Sequence, residues 1–280
     1  MKNFIKLINI EYYKIKHHKL SRILFLSYFV LLSSIALIVA IKFKLGHVEI
    51  HLAEQGIFNF PYIWHFNTWV ADFLTFFLAI IVVSMVTNEY NFRTVKQNLI
   101  DGLTKKEFIL SKFYFLVVLA LLATLFVFVM SLILGLSYSD YTSAGIIFKD
   151  LYFLPAFFLK LLGIFSFIMF LGFLFRRSAI ALGFFFIWMI IEGILYALLR
   201  WQLFNKGIAD KVSQFFPYTS IKNILPEPIS RLNAAKNIGK QIGQNMAKFE
   251  GIPLQNFIIV FIWIAIFVYF SYKLLKKRDL

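Results

Sequence analysis

Few residues in this chain have the types and spacing that could do chemistry. His47 and His51 are four residues apart, and on a helix they would share a face with Glu54, which is a spacing that metal ligands use. No further ligand is evident nearby, so a solvated loop is the favoured interpretation. We therefore predict no metal site.

The sequence lacks the short motifs that would supply catalysis. Gly239-Lys240 comes nearest to a phosphate-binding loop, but it has neither the partner glycine nor the following hydroxyl residue. The His-Glu-x-x-His and Gly-x-Ser-x-Gly patterns of proteases and esterases are absent. The chain has no cysteine, which excludes disulfides and thiol catalysis. We predict no catalytic residue and no cofactor, and hence no enzyme activity, in this chain.

Three charged residues, Asp72, Lys160 and Glu192, lie inside long apolar segments. A charge at the centre of a bilayer costs about 2.5–3.5 kcal/mol, which favours pairing. We predict that Lys160 and Glu192 face protein or a wet cavity and form an ion pair, either within the chain or across a dimer of chains. The alternatives are that Lys160 snorkels to the outer surface and that Asp72 faces the headgroups.

The composition shows what kind of element must position these charges. Of 280 residues, 60% are hydrophobic and only 15% are charged, and the mean hydropathy is +0.78. Soluble domains carry about 25% charged residues, so a soluble enzyme is excluded, and a disordered chain is excluded by its hydrophobicity. In a soluble domain the net charge of +15 would suggest nucleic-acid binding. In a membrane protein it reflects the lysines and arginines of the cytoplasmic loops, which set the topology.

Six segments are apolar and long enough to cross a bilayer, which takes about 20 helical residues. They are residues 21–41, 69–88, 113–136, 151–175, 178–199 and 251–272. The predicted fold is an all-α membrane protein, with six transmembrane helices in one domain over residues 21–280. An even number of spans puts both ends on one side, and the density of Lys and Arg there predicts that both termini are cytoplasmic.

Residues 1–20 are predicted to form an amphipathic helix before the first span. Its apolar residues recur at helical spacing at Phe4, Ile5, Ile8, Tyr12 and Ile15. That pattern is typical of a helix in the cytoplasmic interface, with its lysines toward anionic membrane lipids. A solvated basic leader is the alternative.

The connection 89–112 between the second and third spans is predicted to be a rigid cytoplasmic hairpin. Phe92, Val95 and Leu99 recur at helical spacing, so a short helix should continue from the second span. Asp101-Gly102 then turns the chain, and Thr104 with Glu107 fits a capping box that starts the next helix. The alternative is a hairpin that only links two spans.

The long outer loop, residues 200–250, contains two predicted features. Phe215-Phe216-Pro217-Tyr218 should sit in the outer interface, because aromatic residues favour that level. A stripe of apolar residues from Leu232 to Phe249 predicts a helix on the outer surface.

The hairpin resembles the corresponding loop of ABC type-2 permeases, in the bacitracin- and lantibiotic-resistance branch. The resemblance rests on Glu89-Tyr-Asn-Phe-Arg-Thr94, then Leu99, Gly102-Leu-Thr-Lys-Lys106 and Lys112. Thr94, Gly102 and Lys112 match the family pattern. Arg93 replaces the usual glycine, and Thr104-Lys105-Lys106 stands where Ser-Arg is commoner.

The resemblance implies the membrane subunit of a bacterial inner-membrane exporter, in which two permease subunits form the pathway. Each would bind a separate ATPase subunit, which holds the ATP and magnesium, through the N-terminal helix and the hairpin. The residues assigned to ATPase coupling on this basis are Glu89, Arg93, Thr94, Asp101, Gly102, Thr104, Lys105, Lys106 and Glu107.

Two other classes of protein compete with this interpretation. A secondary, ion-coupled transporter would show internal repeats or spans broken by glycine or proline, and neither is clear in the sequence. A membrane-embedded enzyme is weaker still, because no acid–base pair is visible.

Overall fold

Twelve α-helices form the described part of the chain, together with a short β-ribbon. A computed structural model describes residues 2–40, 43–45, 48–50, 56–203, 206–231 and 251–277. The helices are α1 (Lys2–His17), α2 (Lys19–Ala40), α3 (Tyr62–Phe73), α4 (Thr75–Asn91), α5 (Thr94–Ile100), α6 (Lys105–Tyr138), α7 (Ala144–Ile147), α8 (Phe153–Phe175), α9 (Ser178–Leu198), α10 (Lys206–Ser213), α11 (Pro217–Asn223) and α12 (Leu254–Lys277). β1 (Phe43–Leu45) pairs antiparallel with β2 (Val48–Ile50). A π-helical turn covers Leu199–Leu203 and a 3-10 turn covers Ile229–Arg231.

The predicted all-α membrane fold is confirmed. Five helices, α2, α6, α8, α9 and α12, are long and apolar enough to cross a membrane. The pair α3 and α4 makes a sixth span when it is counted as one bent unit. Two features of the sequence analysis lie outside the described residues. They are the metal-site alternative at His47, His51 and Glu54 and the helix predicted from Leu232 to Phe249.

Two of the predicted spans differ from the helices of the structure. The predicted second span, 69–88, is a pair of helices that starts at Tyr62 and bends by 49° at Leu74. The predicted third span, 113–136, lies within a longer helix, α6, whose 34 residues extend for about 51 Å. Helix α6 is therefore longer than the bilayer core is thick, and its first turns project beyond it.

Helix α8 forms the centre of the bundle. It packs against α3, α4, α6, α9 and α12, and most of its side chains are buried. It lies close to α4 at Gly172, where an added Cβ atom would lie 3.2 Å from Val86. By contrast, α9 buries few of its own side chains and leaves most of its apolar surface uncovered by the chain.

Helix α1 packs against α6 through a face that differs from the predicted apolar stripe. Leu7 and Glu11 are buried there, whereas Tyr12 is exposed and Ile8 and Ile15 are half-buried. The side chains of Phe4 and Ile5 lie outside the described residues. Residues 2–17 form a helix, as predicted, and its place in the cytoplasmic interface stays a prediction. The face packed against α6 carries a carboxylate that meets a lysine of α6.

Helix α1, the α5–α6 hairpin and the last turn of α12 lie at the same end of the bundle, here called the hairpin end. Lys105 Nζ donates to the carbonyl oxygen of Lys276 at 3.3 Å, and Lys112 on α6 contacts Glu11 on α1. The opposite end, here called the loop end, contains the α6–α7 and α7–α8 connections. Asn59 and Asp140 are hydrogen-bonded there.

Candidate functional site

The hairpin is a helix, a tight turn and a capped helix, as predicted. Gly102 has a φ of 100°, a left-handed conformation that glycine adopts without steric cost. The prediction that α5 continues from the second span was wrong. Helix α4 ends at Asn91, and Arg93, with a φ of 56°, redirects the chain before α5 begins.

The predicted capping box at the start of α6 is confirmed. The Glu107 N–H donates to Thr104 Oγ1 at 3.2 Å, and the Thr104 N–H donates to Glu107 Oε2 at 3.0 Å. Two of the free N–H groups at the helix start are thereby satisfied. Because α6 continues without a break into the membrane, this arm of the hairpin is rigidly joined to a span.

Beneath the hairpin lies a buried group of charges, here called the ion cluster: Glu11, Lys14, Glu89 and Lys112. The Lys112 ammonium is fully buried between Glu11 Oε2, at 2.6 Å, and Glu89 Oε1. Lys14 at the rim donates to Glu89 at 2.7 Å. Two carboxylates and two ammonium groups give no net charge, which is the condition under which such a group tolerates burial.

Hydroxyl and amide groups complete the ion cluster. Thr94 Oγ1 and Asn98 Nδ2 donate to Glu89 Oε2, and Ser111 Oγ donates to Glu11 Oε1 at 3.3 Å. The cluster thus joins α1, α4, α5 and α6 through side chains.

The structure divides the predicted coupling residues into two groups. Glu89 is buried within the ion cluster and Thr94 is half-buried beside it, so neither is placed for direct contact with a partner. Arg93, Asp101, Gly102, Thr104 and Lys106 are exposed, whereas Lys105 and Glu107 are half-buried. Glu11 was missed. It is the one acidic residue of α1, a helix with four lysines, and that contrast is the signal that could have found it.

The exposed part of the hairpin also carries large apolar side chains. Phe92 is 71% exposed and Ile100 is 70% exposed, and they flank the cations Arg93 and Lys96. We call Phe92, Arg93, Lys96, Ile100 and Lys106 the hairpin surface. Apolar residues among charged ones at an exposed tip are typical of a protein interaction site.

The intramembrane charges are paired differently from the prediction. Lys160 Nζ on α8 lies 2.8 Å from Asp72 Oδ2 on α3, and Glu192 is not its partner. The predicted Lys160–Glu192 ion pair does not form within the chain, because α3 packs beside α8 at this level, while the Glu192 side chain on α9 points to α11. Lys160 and Glu192 are both buried in the chain.

Glu192 caps the start of α11. Its carboxylate accepts hydrogen bonds from Trp188 Nε1 at 2.6 Å, from the N–H groups of Tyr218 and Thr219 at 2.9 and 2.7 Å, and from Thr219 Oγ1 at 2.8 Å. A negative charge at a helix N-terminus is favourable. Glu192 therefore fixes α11, which contains part of the predicted aromatic element, against α9.

Glu192→Gln is expected to lower the free energy of unfolding by about 1–3 kcal/mol, because the amide group of Gln cannot accept all four hydrogen bonds. Thermal unfolding in detergent, with hydrogen exchange of Tyr218 and Thr219, measures the effect. The control is Glu227→Gln, since exposed Glu227 accepts one backbone hydrogen bond, from Ser230 at 3.2 Å. Equal changes in the two variants would contradict this role.

A second group of side chains contacts the outer loop at the loop end. Nothing in the sequence indicated this group. His65 on α3 stacks on Phe153 with ring centroids 3.8 Å apart, and its Nε2 lies 2.9 Å from the Pro226 carbonyl oxygen. Arg231 contacts His65 Nδ1 at 3.2 Å and Asp150 at 2.5 Å. The loop before Leu232 is thereby held against α3 and α8.

The helical bundle, with its charges paired within the chain and its structured hairpin, defines a multi-pass membrane protein. The sequence model of the family described as "ABC-2 family transporter protein" matches residues 16–280. The chain therefore belongs to the ABC-2 transporter family and is an ABC transporter permease. Among curated proteins, none matches the chain. Membrane proteins of this family generally partner with an ATPase subunit.

Proposed function

We propose that this chain is the permease subunit of an exporter whose separate ATPase subunit binds the hairpin surface. In this proposal the hairpin end and both termini are cytoplasmic, and the membrane is the bacterial inner membrane. A second permease subunit completes the pathway. ATP and magnesium are bound and ATP is hydrolysed in the ATPase, and this permease supplies no catalytic residue or cofactor.

The observation that carries the proposal is the ion cluster beneath the hairpin surface. It links α1, α4, α5 and α6 through buried, charge-assisted hydrogen bonds, which are roughly twice as strong as neutral ones. A displacement of the hairpin by a bound ATPase would therefore move α1 and two spans together. A flexible link would dissipate the same displacement.

The direction of transport is proposed from the resemblance to resistance transporters, which remove compounds from the cell or its membrane. In such a cycle, ATP-driven closure of two ATPase subunits would rock the attached helices between inward- and outward-facing states. Anionic lipids would contact the exposed face of α1, where Tyr12, Tyr13 and Lys16 are exposed.

A secondary transporter is the second candidate, and the α3–α4 break favours it. Ion-coupled transporters place charged residues beside discontinuous helices, and Asp72 lies two residues before Leu74, where the chain bends. The bend contains neither glycine nor proline.

One experiment separates the two candidates. The tagged chain is purified from its host and examined for a co-purified ATPase, and efflux from proteoliposomes is then driven either by ATP or by an imposed ion gradient. We expect co-purification and ATP-dependent efflux that ionophores leave unchanged. Efflux that follows the gradient without ATP would establish the secondary transporter.

The topology is tested by single cysteines, since the chain has none of its own. Gly102→Cys and Lys277→Cys are expected to react with a membrane-impermeant maleimide only after the cells are opened, because both residues lie at the hairpin end. Asp140→Cys at the loop end should react in intact cells. Labelling of Gly102→Cys in intact cells would invert the proposed orientation.

A further inference from the structure

The contacts that hold the outer loop at the loop end centre on a fully buried histidine. We call His65 on α3, Asp150 before α8, and Pro226 and Arg231 of the outer loop the clasp. His65 has no exposed surface, and each of its ring nitrogens contacts one of the two loop residues. Each contact therefore depends on where the proton of the ring lies.

The two contacts define a single protonation state of His65. The Pro226 carbonyl oxygen can only accept a hydrogen bond, so Nε2, 2.9 Å away, is the protonated nitrogen. The Arg231 guanidinium can only donate, so Nδ1, 3.2 Å away, is the unprotonated acceptor. His65 in the clasp is therefore a neutral imidazole with its proton on Nε2.

A second proton on His65 is incompatible with the clasp. It would occupy Nδ1, the atom that accepts the hydrogen bond from Arg231. It would also place a positive charge beside the guanidinium at a fully buried position, where charges are poorly screened. The stack on Phe153, with ring centroids 3.8 Å apart, holds the ring in its present orientation. Protonation of His65 therefore requires Arg231 to leave the ring.

The other charged groups around His65 favour its protonation once Arg231 has left. Asp150 is bound to Arg231 in the clasp, at 2.5 Å, and exposed Glu227 lies in the same loop. Both carboxylates interact electrostatically with His65, and Asp150 loses its cation when Arg231 moves away. Two tyrosines also border the Arg231 guanidinium and are neutral below pH 8: Tyr62 and Tyr152. The neutral ring thus fits the closed clasp, and the protonated ring fits the open one.

We propose that the clasp is an acid-sensitive latch, which is closed while His65 is neutral and opens when a proton on Nδ1 displaces Arg231. Opening releases residues 226–231 from α3 and α8. That the acid would act from outside the cell rests on the proposed function and its orientation, in which the loop end faces outward. The latch itself operates in either orientation.

Proton linkage gives the size of the effect. A released histidine has a pKa of about 6.5, whereas the closed clasp has no place for a proton on Nδ1. The open form therefore binds more protons than the closed form, and acid favours opening. The ratio of open to closed clasp is expected to rise about tenfold between pH 7.5 and pH 5.5.

The test is the reactivity of a buried cysteine in the loop, in the purified chain in nanodiscs, where both faces are accessible. Leu225 is buried directly before Pro226, and Ile229 is exposed in the same loop. The rate at which Leu225→Cys reacts with a methanethiosulfonate reagent is divided by the rate for Ile229→Cys, which corrects for the pH dependence of the thiol. We expect this quotient to rise about tenfold from pH 7.5 to pH 5.5. An unchanged quotient would overturn the proposal, whether or not the chain transports anything.

Two further substitutions in the Leu225→Cys chain identify the group that takes up the proton. His65→Gln can still donate to the Pro226 carbonyl but takes up no proton, and it keeps the other four histidines. Its quotient should change less than twofold with pH. Asp150→Asn keeps His65, and Asn tolerates the φ of 59° at this position. This variant should react faster at pH 7.5 and still show a rise at pH 5.5.

Two results would assign the response to another group. One is a tenfold rise that persists in His65→Gln. The other is a response lost in Asp150→Asn while its cysteine still reacts more slowly than Ile229→Cys. The native ring is tested without a substitution in the clasp by ¹⁵N NMR of the histidine-labelled chain. At pH 7.5 the proton of His65 should lie on Nε2, and a proton on Nδ1 would overturn the proposal.

Discussion

Lys112→Met is expected to lower the free energy of unfolding by about 3–5 kcal/mol, because it leaves buried carboxylates without their shared cation. Lys112 is fully buried and contacts both Glu11 and Glu89, so both carboxylates lose a direct partner when its ammonium group is removed. Thermal and denaturant unfolding of the purified chain in detergent measure the change. In the proposed ATP-driven transporter we further expect efflux per ATP hydrolysed to fall, since the ion pair that joins α1 to α6 is lost.

Two companion variants show whether the loss of stability is specific to the ion cluster or would follow from removing any lysine. Lys106→Met alters an exposed lysine of the hairpin and should change stability by no more than about 1 kcal/mol. Adding Glu11→Gln to Lys112→Met should restore part of the lost stability, because Lys14 still pairs with Glu89. A double variant that is less stable than Lys112→Met alone would contradict the proposed arrangement of charges.

The sequence predicts well those features that depend on neighbours along the chain. The long apolar runs locate the spanning helices, because backbone groups in a bilayer must be satisfied within the helix. The capping box of Thr104 and Glu107 follows from their spacing, and the turn at Gly102 from its conformational freedom.

Pairings between helices could not be predicted in the same way. Whether Lys160 meets Asp72 or Glu192 depends on which helices pack together and on how each is rotated about its axis. The apolar pattern of α1 likewise gives no sign of its contact with α6, because that contact is made by a charged residue with a buried partner. The bend at Leu74 could not be predicted either, because the local sequence contains neither glycine nor proline to interrupt a helix there.

The hairpin surface shows where sequence and structure must be combined. Phe92, Val95 and Leu99 were predicted to lie along one short helix that continues from the second span. The break at Arg93 rotates Phe92 outward, so that only Val95 is fully buried and Leu99 is half-buried. Phe92, which helical spacing groups with Val95 and Leu99, is therefore available to a partner.

Phe92→Asp and Ile100→Asp are each expected to weaken binding of the ATPase subunit about thirtyfold or more. Large apolar side chains at the centre of an interface contribute at least about 2 kcal/mol when removed, and a carboxylate would also have to be desolvated. The dissociation constant of the purified ATPase for the chain in nanodiscs measures the effect. The unfolding temperature should stay unchanged, since both side chains are more than two-thirds exposed.

The charge contribution of the same surface should be smaller. Reversing Lys105 and Lys106 together to Glu is expected to weaken binding less than either aspartate substitution, because exposed ion pairs contribute only about 0–1 kcal/mol each. Phe148→Asp is the matched control, as Phe148 is 59% exposed at the loop end, away from the proposed ATPase. If Phe148→Asp weakened ATPase binding as much as Phe92→Asp, the hairpin would not be the docking site. If only the lysine reversal mattered, the contact would be electrostatic and the exposed apolar pair would face lipid headgroups instead.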